Sequence, residues 1–432
     1  MARVPDAATS LPQYTPSPRE LDDVELLRMG VLAPLDGFEG ADSDITLVAP
    51  TELVEAAQEL GGLEITDPEQ VPLAVVSVED TYPAGEGMTG VVGEVRALPG
   101  IIRRAFGDRY RAPSTSRTKM SPRTLTVPVD APLTASDLAT LAELVDDRPV
   151  LFLVLTGDGS PRGLSPHGLI RATVTAAAGF GDAHVIAVPA AARADETGDL
   201  AFRRHVAAAY APGHDIHWPK GEGPLTEEIA AVVEADRPTG TDQGLVVFFT
   251  GLSGSGKSTL AHALCDRLLE SGGRSVTLLD GDRVRRNLSK GLTFSREDRE
   301  TNIERIGWVA AEVARHGGLA ICSPIAPFDR TRKAARAMAE EVGAAFVLFH
   351  VATPLEECER RDRKHLYAKA RRGEVTDFTG ISSPYEVPTD ADLAFDTTGR
   401  TVDDVLNEIL ELLTDRGWLP REVRDPVVLA VP

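Results

Sequence analysis

An α/β architecture organised around parallel strands is predicted by three observations. The run Gly251-Leu-Ser-Gly-Ser-Gly-Lys-Ser-Thr259 matches a phosphate-binding loop, G-x-x-x-x-G-K-[ST], and stands between an apolar strand-length segment and a helical pattern. Downstream of it, short apolar runs alternate with helix-period segments, the pattern of strand–helix–strand units. Acidic and polar residues, Asp280-Gly-Asp282 and Ser323, follow two of those runs, at the carboxyl edge where ligands of such sheets gather.

The elements follow in order along the 432 residues, a length that suits two or three domains. Residues 1–18 are rich in Pro, Ser and Thr and are predicted to be an irregular arm. Residues 19–118 alternate short apolar runs with turn signals. Ile45–Val48, Leu73–Val78 and Gly90–Val95 read as strands of a small β-rich domain. Residues 119–235 change character: Val150–Leu155 and Ala183–Val188 read as buried strands, with helical patterns around 135–145, 167–178 and 199–210. Residues 236–243 are a polar linker carrying Pro and Gly. Residues 244–419 are predicted to form a domain with strands at 245–249, 275–280, 319–323 and 346–351, a shorter one at 393–396, and a last helix capped by Thr401. Residues 420–432 form a Pro- and Val-rich tail.

Charge is unevenly placed. The chain carries a net −21, yet residues 244–419 are almost balanced, with 24 basic and 27 acidic residues. The acidic surplus upstream argues against nucleic-acid binding. The balanced part leaves basic residues to line a pocket for anions. The apolar runs are shorter than a membrane span, and no apolar signal region opens the chain, so a cytoplasmic location is expected. Cys265, Cys322 and Cys358 lack metal-ligand spacing and read as core residues.

The glycine loop sets the chemistry. Small residues let backbone N–H groups close on phosphate oxygens, and the following helix adds its positive end. Gly251, Leu252, Ser253, Gly254, Ser255, Gly256, Lys257, Ser258 and Thr259 are therefore expected to cradle ATP, with Lys257 on the β- and γ-phosphates. The Ser258 hydroxyl, Asp280 and Asp282 are expected to hold Mg²⁺. Arg285 and Arg286 lie just beyond, one toward the site and one toward solvent.

Ser295 is placed to cap a helix, with Asp298 in the capping-box position, and Arg299 and Asn302 share one helix face. Arg suits phosphate or sulfate, Asn a ribose or base edge, and Phe294 can stack on a purine; taken alone, the block is an ordinary charged helix. Ser323 follows a strand and is stopped by Pro324. The basic stretch Arg360–Arg372, with Tyr367, reads either as a solvated helix or as a lid over phosphates.

These blocks, in this order, resemble adenylyl-sulfate kinase (APS kinase). The matching phrases are GLSGSGKST, LDGDRVR, FSREDRETNIERI, CSP, PLEECERRD, KARRGEVTDFTGISSPYE and FDTTG, within about residues 243–419. The resemblance implies a P-loop NTPase-type parallel sheet. It implies ATP- and Mg²⁺-dependent phosphorylation of the ribose 3′-hydroxyl of adenosine 5′-phosphosulfate (APS), giving PAPS and ADP. Asp282, Arg285, Phe294, Arg299 and Asn302 match positions that contact the sulfated nucleotide or the metal. Ser323 matches a serine assigned as a phosphoserine intermediate in bacterial members, and Cys322, which adjoins it, is expected beside it at the substrate. Lys364 and Phe378 match lid residues. The family's lid motif D-P-K-G-L-Y is Asp362-Arg-Lys-His-Leu-Tyr367 here, so Arg363 and His365 replace Pro and Gly.

Upstream, Leu21–Gly30 and Ala33–Gly40 resemble the β-rich, PUA-like N-terminal domain of ATP sulfurylase, and residues 119–235 its shortened α/β catalytic domain. The Q-x-R-N-P run and second histidine of an active sulfurylase are missing from Leu155–Arg171, which keeps His167. The resemblance therefore implies a kinase with a non-catalytic N-terminal region. A bifunctional enzyme is the alternative, as is an N-terminal module that docks a separate sulfurylase or stabilises a homodimer.

Overall fold

The computed structural model describes residues 11–99, 104–117, 120–211, 215–362 and 365–423. The chain divides into two compact units, Met1–Asp236 and Arg237–Pro432.

The first unit holds two sheets. One is largely antiparallel and centred on the long strand Met88–Ala97, which pairs with Gly37–Phe38, Leu47–Pro50, Pro72–Val76 and Asp80–Pro83. Close crossing is possible because Gly93 lacks a side chain: a Cβ there would lie 1.9 Å from the Ser77 carbonyl oxygen. The region is less purely β than its composition suggests. Helices Pro18–Arg28 and Thr51–Leu60 belong to it, the first closed by a capping box between Ser17 and Glu20. The predicted irregular arm is corrected in part as well. Gln13 and Tyr14 form a parallel bridge to Glu64 and Ile65, because an exposed sheet edge offers backbone partners that composition does not reveal. Residues 1–10 lie outside the described part.

The second sheet of this unit is parallel, with Leu125–Val129 and Ala183–Val188 flanking Val150–Leu155. The central strand is buried along its whole length, which explains its unbroken apolar sequence. Helices Ala135–Val145 and Pro166–Ala177 connect the strands, and Glu196–Tyr210 follows the last of them. Helix Glu227–Asp236 runs to the start of the predicted linker. Its end is anchored because the Asp236 carboxylate accepts from Ser165 N at 2.7 Å, Ser165 Oγ at 2.6 Å and Arg171 at 2.7 Å.

The second unit is one parallel sheet of five strands, ordered Val276–Leu279, Leu319–Cys322, Leu245–Thr250, Ala345–Val351 and Leu393–Phe395. Alternation places Leu245, Val247 and Phe249 against helices Lys257–Ser271 and Val402–Asp415. Val246 and Phe248 face helices Arg296–Arg315 and Asp329–Glu341. Both faces are thus covered, and the carboxyl edge of the central strand opens into the glycine loop. Thr401 caps the last helix in a reciprocal pair with Asp404. All three cysteines are buried and free. No helix among the described residues is long and apolar enough to cross a membrane.

The first unit contains a buried ion pair: Arg193 donates to both oxygens of Asp23, at 3.0 and 2.6 Å, and stacks on Phe202. The adjacent Asp22 accepts from Asp158 N at 2.7 Å. Burial, reinforced by nearby Glu25 and Asp23, pushes the Asp22 pKa up from 3.8 to about 7. The folded state then keeps a proton that the unfolded chain has lost, so this stabilising contribution is full below pH 3.8 and disappears as pH rises to about 7. We expect Asp22→Asn, which retains an acceptor for Asp158 N, to gain relative to the parent as pH rises. Thermal melts should show a gain of a few degrees at pH 8 and a smaller one at pH 5; equal gains at both pH values contradict the assignment.

Candidate active site

The glycine loop leaves the central strand through Thr250, whose hydroxyl donates to the Ile325 carbonyl at 2.7 Å. Gly251, Gly254 and Gly256 take φ values of 146°, 77° and 106°, a region closed to most L-residues. At Gly251 a Cβ would also fall 2.5 Å from the Val351 carbonyl oxygen. The helix beginning at Lys257 presents its N-terminus to the loop. Lys257 is buried, and its ammonium donates to the Leu252 carbonyl at 2.6 Å and lies 3.4 Å from Ser255 Oγ. The loop is thus folded around its own lysine, with the charge held inside the cradle.

A cleft of 890 Å³ opens over this loop. Ser253, Gly254, Gly256, Lys257, Ser258 and Thr259 line it, whereas Gly251, Leu252 and Ser255 support the loop from outside the lining. Asp280, Arg285, Phe294, Arg299, Asn302 and Ser323 line the same cleft, so the structure brings most of the sequence-predicted positions together. Ser323 donates to Asp280 Oδ2 at 3.1 Å and is nearly buried. Arg285 donates to the Thr293 carbonyl at 3.0 Å and lies 4.3 Å above the ring of Phe294, which is 65% exposed. Arg286 is exposed and does not line the cleft.

Arg299 donates to two neutral hydroxyls, Thr379 Oγ1 at 3.0 Å and Ser383 Oγ at 3.1 Å. Burial lowers its pKa, without removing a charge that guanidinium keeps at any ordinary pH. Asn302 is nearly buried, and its Oδ1 has no hydrogen-bond partner.

Several expectations are corrected. Cys322 does not line the cleft: its side chain is fully buried in the sheet core, and burial raises its thiol pKa. Phe378 is also absent from the cleft wall; it packs edge-on to Tyr367 with centroids 5.0 Å apart. Ser295 caps its helix as expected, accepting from Asp298 N at 3.1 Å, but the Asp298 carboxylate does not complete a box. It reaches back to Thr293 N at 2.7 Å and to the Thr293 hydroxyl, which lower its pKa. Asp282 sits in helix Gly281–Asn287, with its side chain outside the described part. Lys364 also lies outside the described residues.

Sequence reasoning gave no individual role to Arg361, which it read only as part of a basic stretch, or to Thr353 and Thr397. Arg361 donates to Thr397 Oγ1 at 2.8 Å and to its carbonyl at 3.1 Å. Thr397 stands in the Phe395-Asp-Thr-Thr-Gly399 phrase, a signal available but unassigned.

The donor set fits a nucleotide. The glycine φ values and the buried lysine make an anion cradle. Among the described residues no group of three or more His, Cys, Asp or Glu makes a metal cage.

The fold and this cleft define a P-loop kinase. Residues 243–396 match the family model described as adenylylsulphate kinase. Through its C-terminal unit the chain belongs to that family. A hexameric APS kinase from Thiobacillus denitrificans is similar along almost the whole length, with 28% identity, 95% of each chain covered and a TM-score of 0.70. An APS kinase from Mycobacterium tuberculosis, solved with AMPPNP and APS, shares 44% identity over 40% of this chain and 98% of that one, with a TM-score of 0.39. A sulfate adenylyltransferase from Neosartorya fischeri is 48% identical over 194 residues, which are 45% of this chain and 34% of the relative. The chain thus spans about a third of the length of the curated relatives it matches.

His365 marks the departure from the family's lid motif. Its φ is 53°, the left-handed region that glycine enters without strain. We expect His365→Gly to raise stability by up to about 1 kcal/mol in urea unfolding; a clear loss would show that the imidazole itself is needed there.

Proposed function

We propose that the protein transfers the γ-phosphoryl of ATP to the ribose 3′-hydroxyl of APS, giving PAPS and ADP. One observation carries the reading. A phosphate loop, a carboxylate–serine pair and the Arg285–Phe294 and Arg299–Asn302 pairs share one 890 Å³ cleft, in the arrangement that two adjacent nucleotides require. Phosphoryl transfer needs positioning and charge neutralisation more than covalent chemistry.

In this scheme Lys257 leaves its loop carbonyl for the β- and γ-phosphates. Ser258 and Asp280 would hold Mg²⁺, joined by Asp282 on family resemblance; the ion supplies charge neutralisation when bound. Asp282 orients the acceptor hydroxyl. Arg285 and Arg299 hold the anionic end of APS, and Phe294 offers an exposed ring to its purine. The unpartnered Asn302 Oδ1 supports a ligand donor at that wall, since a buried acceptor left unmatched costs about 1–3 kcal/mol. Ser323 is a positioning group: its hydroxyl donates to Asp280, and direct in-line transfer needs no phosphoserine.

For the first unit we propose a PUA-like antiparallel domain and a shortened sulfurylase-like domain without sulfurylase activity. Its arginines near the carboxyl edge of the parallel sheet are already engaged. Arg193 pairs with Asp23, Arg203 with Asp199 at 2.6 Å, and Arg162 with Asp130 at 2.9 Å. Charges engaged in this way are not available to ATP phosphates. The names of the fungal relatives favour the bifunctional alternative, and the ion pairs oppose it. The whole-length likeness to a hexameric kinase supports a role for this unit in self-association, of which a homodimer is the simplest form. Docking of a separate sulfurylase remains the reading in which the acidic surplus is the recognised feature. Three buried, unpaired thiols agree with a reducing, cytoplasmic compartment.

With ATP, Mg²⁺ and APS, the full chain is expected to form PAPS, Asp282→Ala to lose at least about a hundredfold in kcat, and Ser323→Ala to stay within about tenfold without phosphoprotein in the parent. Absence of PAPS, or full activity of Asp282→Ala, removes the scheme. With ATP and sulfate, the full chain is expected to release no pyrophosphate; release would establish the bifunctional reading instead.

A further inference from the structure

Two carbonyls of the phosphate loop are held by hydroxyls from outside it. Tyr367 Oη donates to the Ser253 carbonyl at 2.8 Å. Thr353 Oγ1 and Thr397 Oγ1 both reach the Ser255 carbonyl, each at 3.0 Å, and lie 2.8 Å from one another. The Arg361 guanidinium donates to Thr397 Oγ1, so that oxygen accepts there and its own proton is left for Ser255. These residues come from separate places: the end of strand Ala345–Val351, helix Leu355–Arg361, helix Leu366–Arg371 and the turn after Leu393–Phe395.

A peptide unit is planar and trans, so fixing a carbonyl also fixes the direction of the next N–H. Holding the Ser253 and Ser255 carbonyls therefore sets the Gly254 and Gly256 N–H groups, and both glycines line the cleft. Glycine peptides at these φ values rotate easily when nothing restrains them. Rotation would turn a partial negative oxygen toward the phosphates in place of a donor.

We propose that Tyr367, Thr353 and Thr397 are positioning residues that preorganise the phosphate-binding N–H groups by holding the loop's carbonyls, with Arg361 orienting the Thr397 hydroxyl. The inference rests on the nucleotide-binding reading and adds residues to it that act through the loop's backbone. Preorganised donors act at full strength because no reorganisation is left for the moment of binding.

The test uses the full chain and ADP as the probe, measured by calorimetry. Tyr367→Phe keeps the ring against Phe378 and removes one hydroxyl; Thr397→Val keeps shape and removes another. Each is expected to weaken ADP binding about tenfold, as one hydrogen bond should. Thr397→Ser restores it. In the kinase assay the KM for ATP should rise by a similar factor while the KM for APS moves less than about twofold. Parental ADP affinity in both Tyr367→Phe and Thr397→Val overturns the proposal. So does weaker binding accompanied by an equal rise in the KM for APS, the mark of general unfolding. Failure of the parent chain to bind ADP removes the nucleotide reading itself. ADP binding without turnover of APS removes only the substrate assignment.

Discussion

The second unit depends on the seating of its glycine loop at the end of a wholly buried parallel strand. Leu245–Thr250 is covered on both faces, so the chain can emerge only at the carboxyl edge. There it must turn within a few residues into a helix. Three glycines with positive φ make that turn, and the Val351 carbonyl beneath Gly251 leaves no room for a side chain. Buried strand, tight turn and helix N-terminus thus concentrate backbone donors at one point, and everything else in the cleft is arranged around them.

The arrangement has a clear electrostatic logic. The cleft contains Arg299, whose guanidinium donates to the neutral hydroxyls of Thr379 and Ser383. That guanidinium is not spent on a hydrogen-bonded carboxylate, and its charge can meet an anionic ligand. In the first unit the opposite holds. Arg193, Arg203, Arg162 and Arg171 are matched with carboxylates of the same unit. Arg360 and Arg361 of the cleft do pair with Glu357, so the contrast between the two sheets rests on Arg299. The proposed division of labour, with a catalytic second unit and a supporting first unit, follows from that contrast.

Much of this was legible in the sequence. Apolar runs located all five strands of the second unit, most plainly the three central ones, because a strand buried on both faces must be apolar throughout. The glycine loop, the Ser295 cap and the Thr401–Asp404 box are local motifs, and local motifs can be read where they stand. The less legible features depend on partners far along the chain. The Gln13–Tyr14 bridge and the helices of the β-rich region depend on what packs against them.

The primary sequence by itself determined the reaction class proposed, the anion cradle and the family, since each resides in contiguous residues whose backbone and side-chain chemistry is self-sufficient. Only the tertiary structure decided which polar groups meet. It joined Ser323 to Asp280, Arg299 to Thr379 and Ser383, and Tyr367 to the Ser253 carbonyl across 114 positions. The physical reason is range: hydrogen bonds and ion pairs act over a few ångströms, and which side chains come that close is set by how helices pack on the sheet.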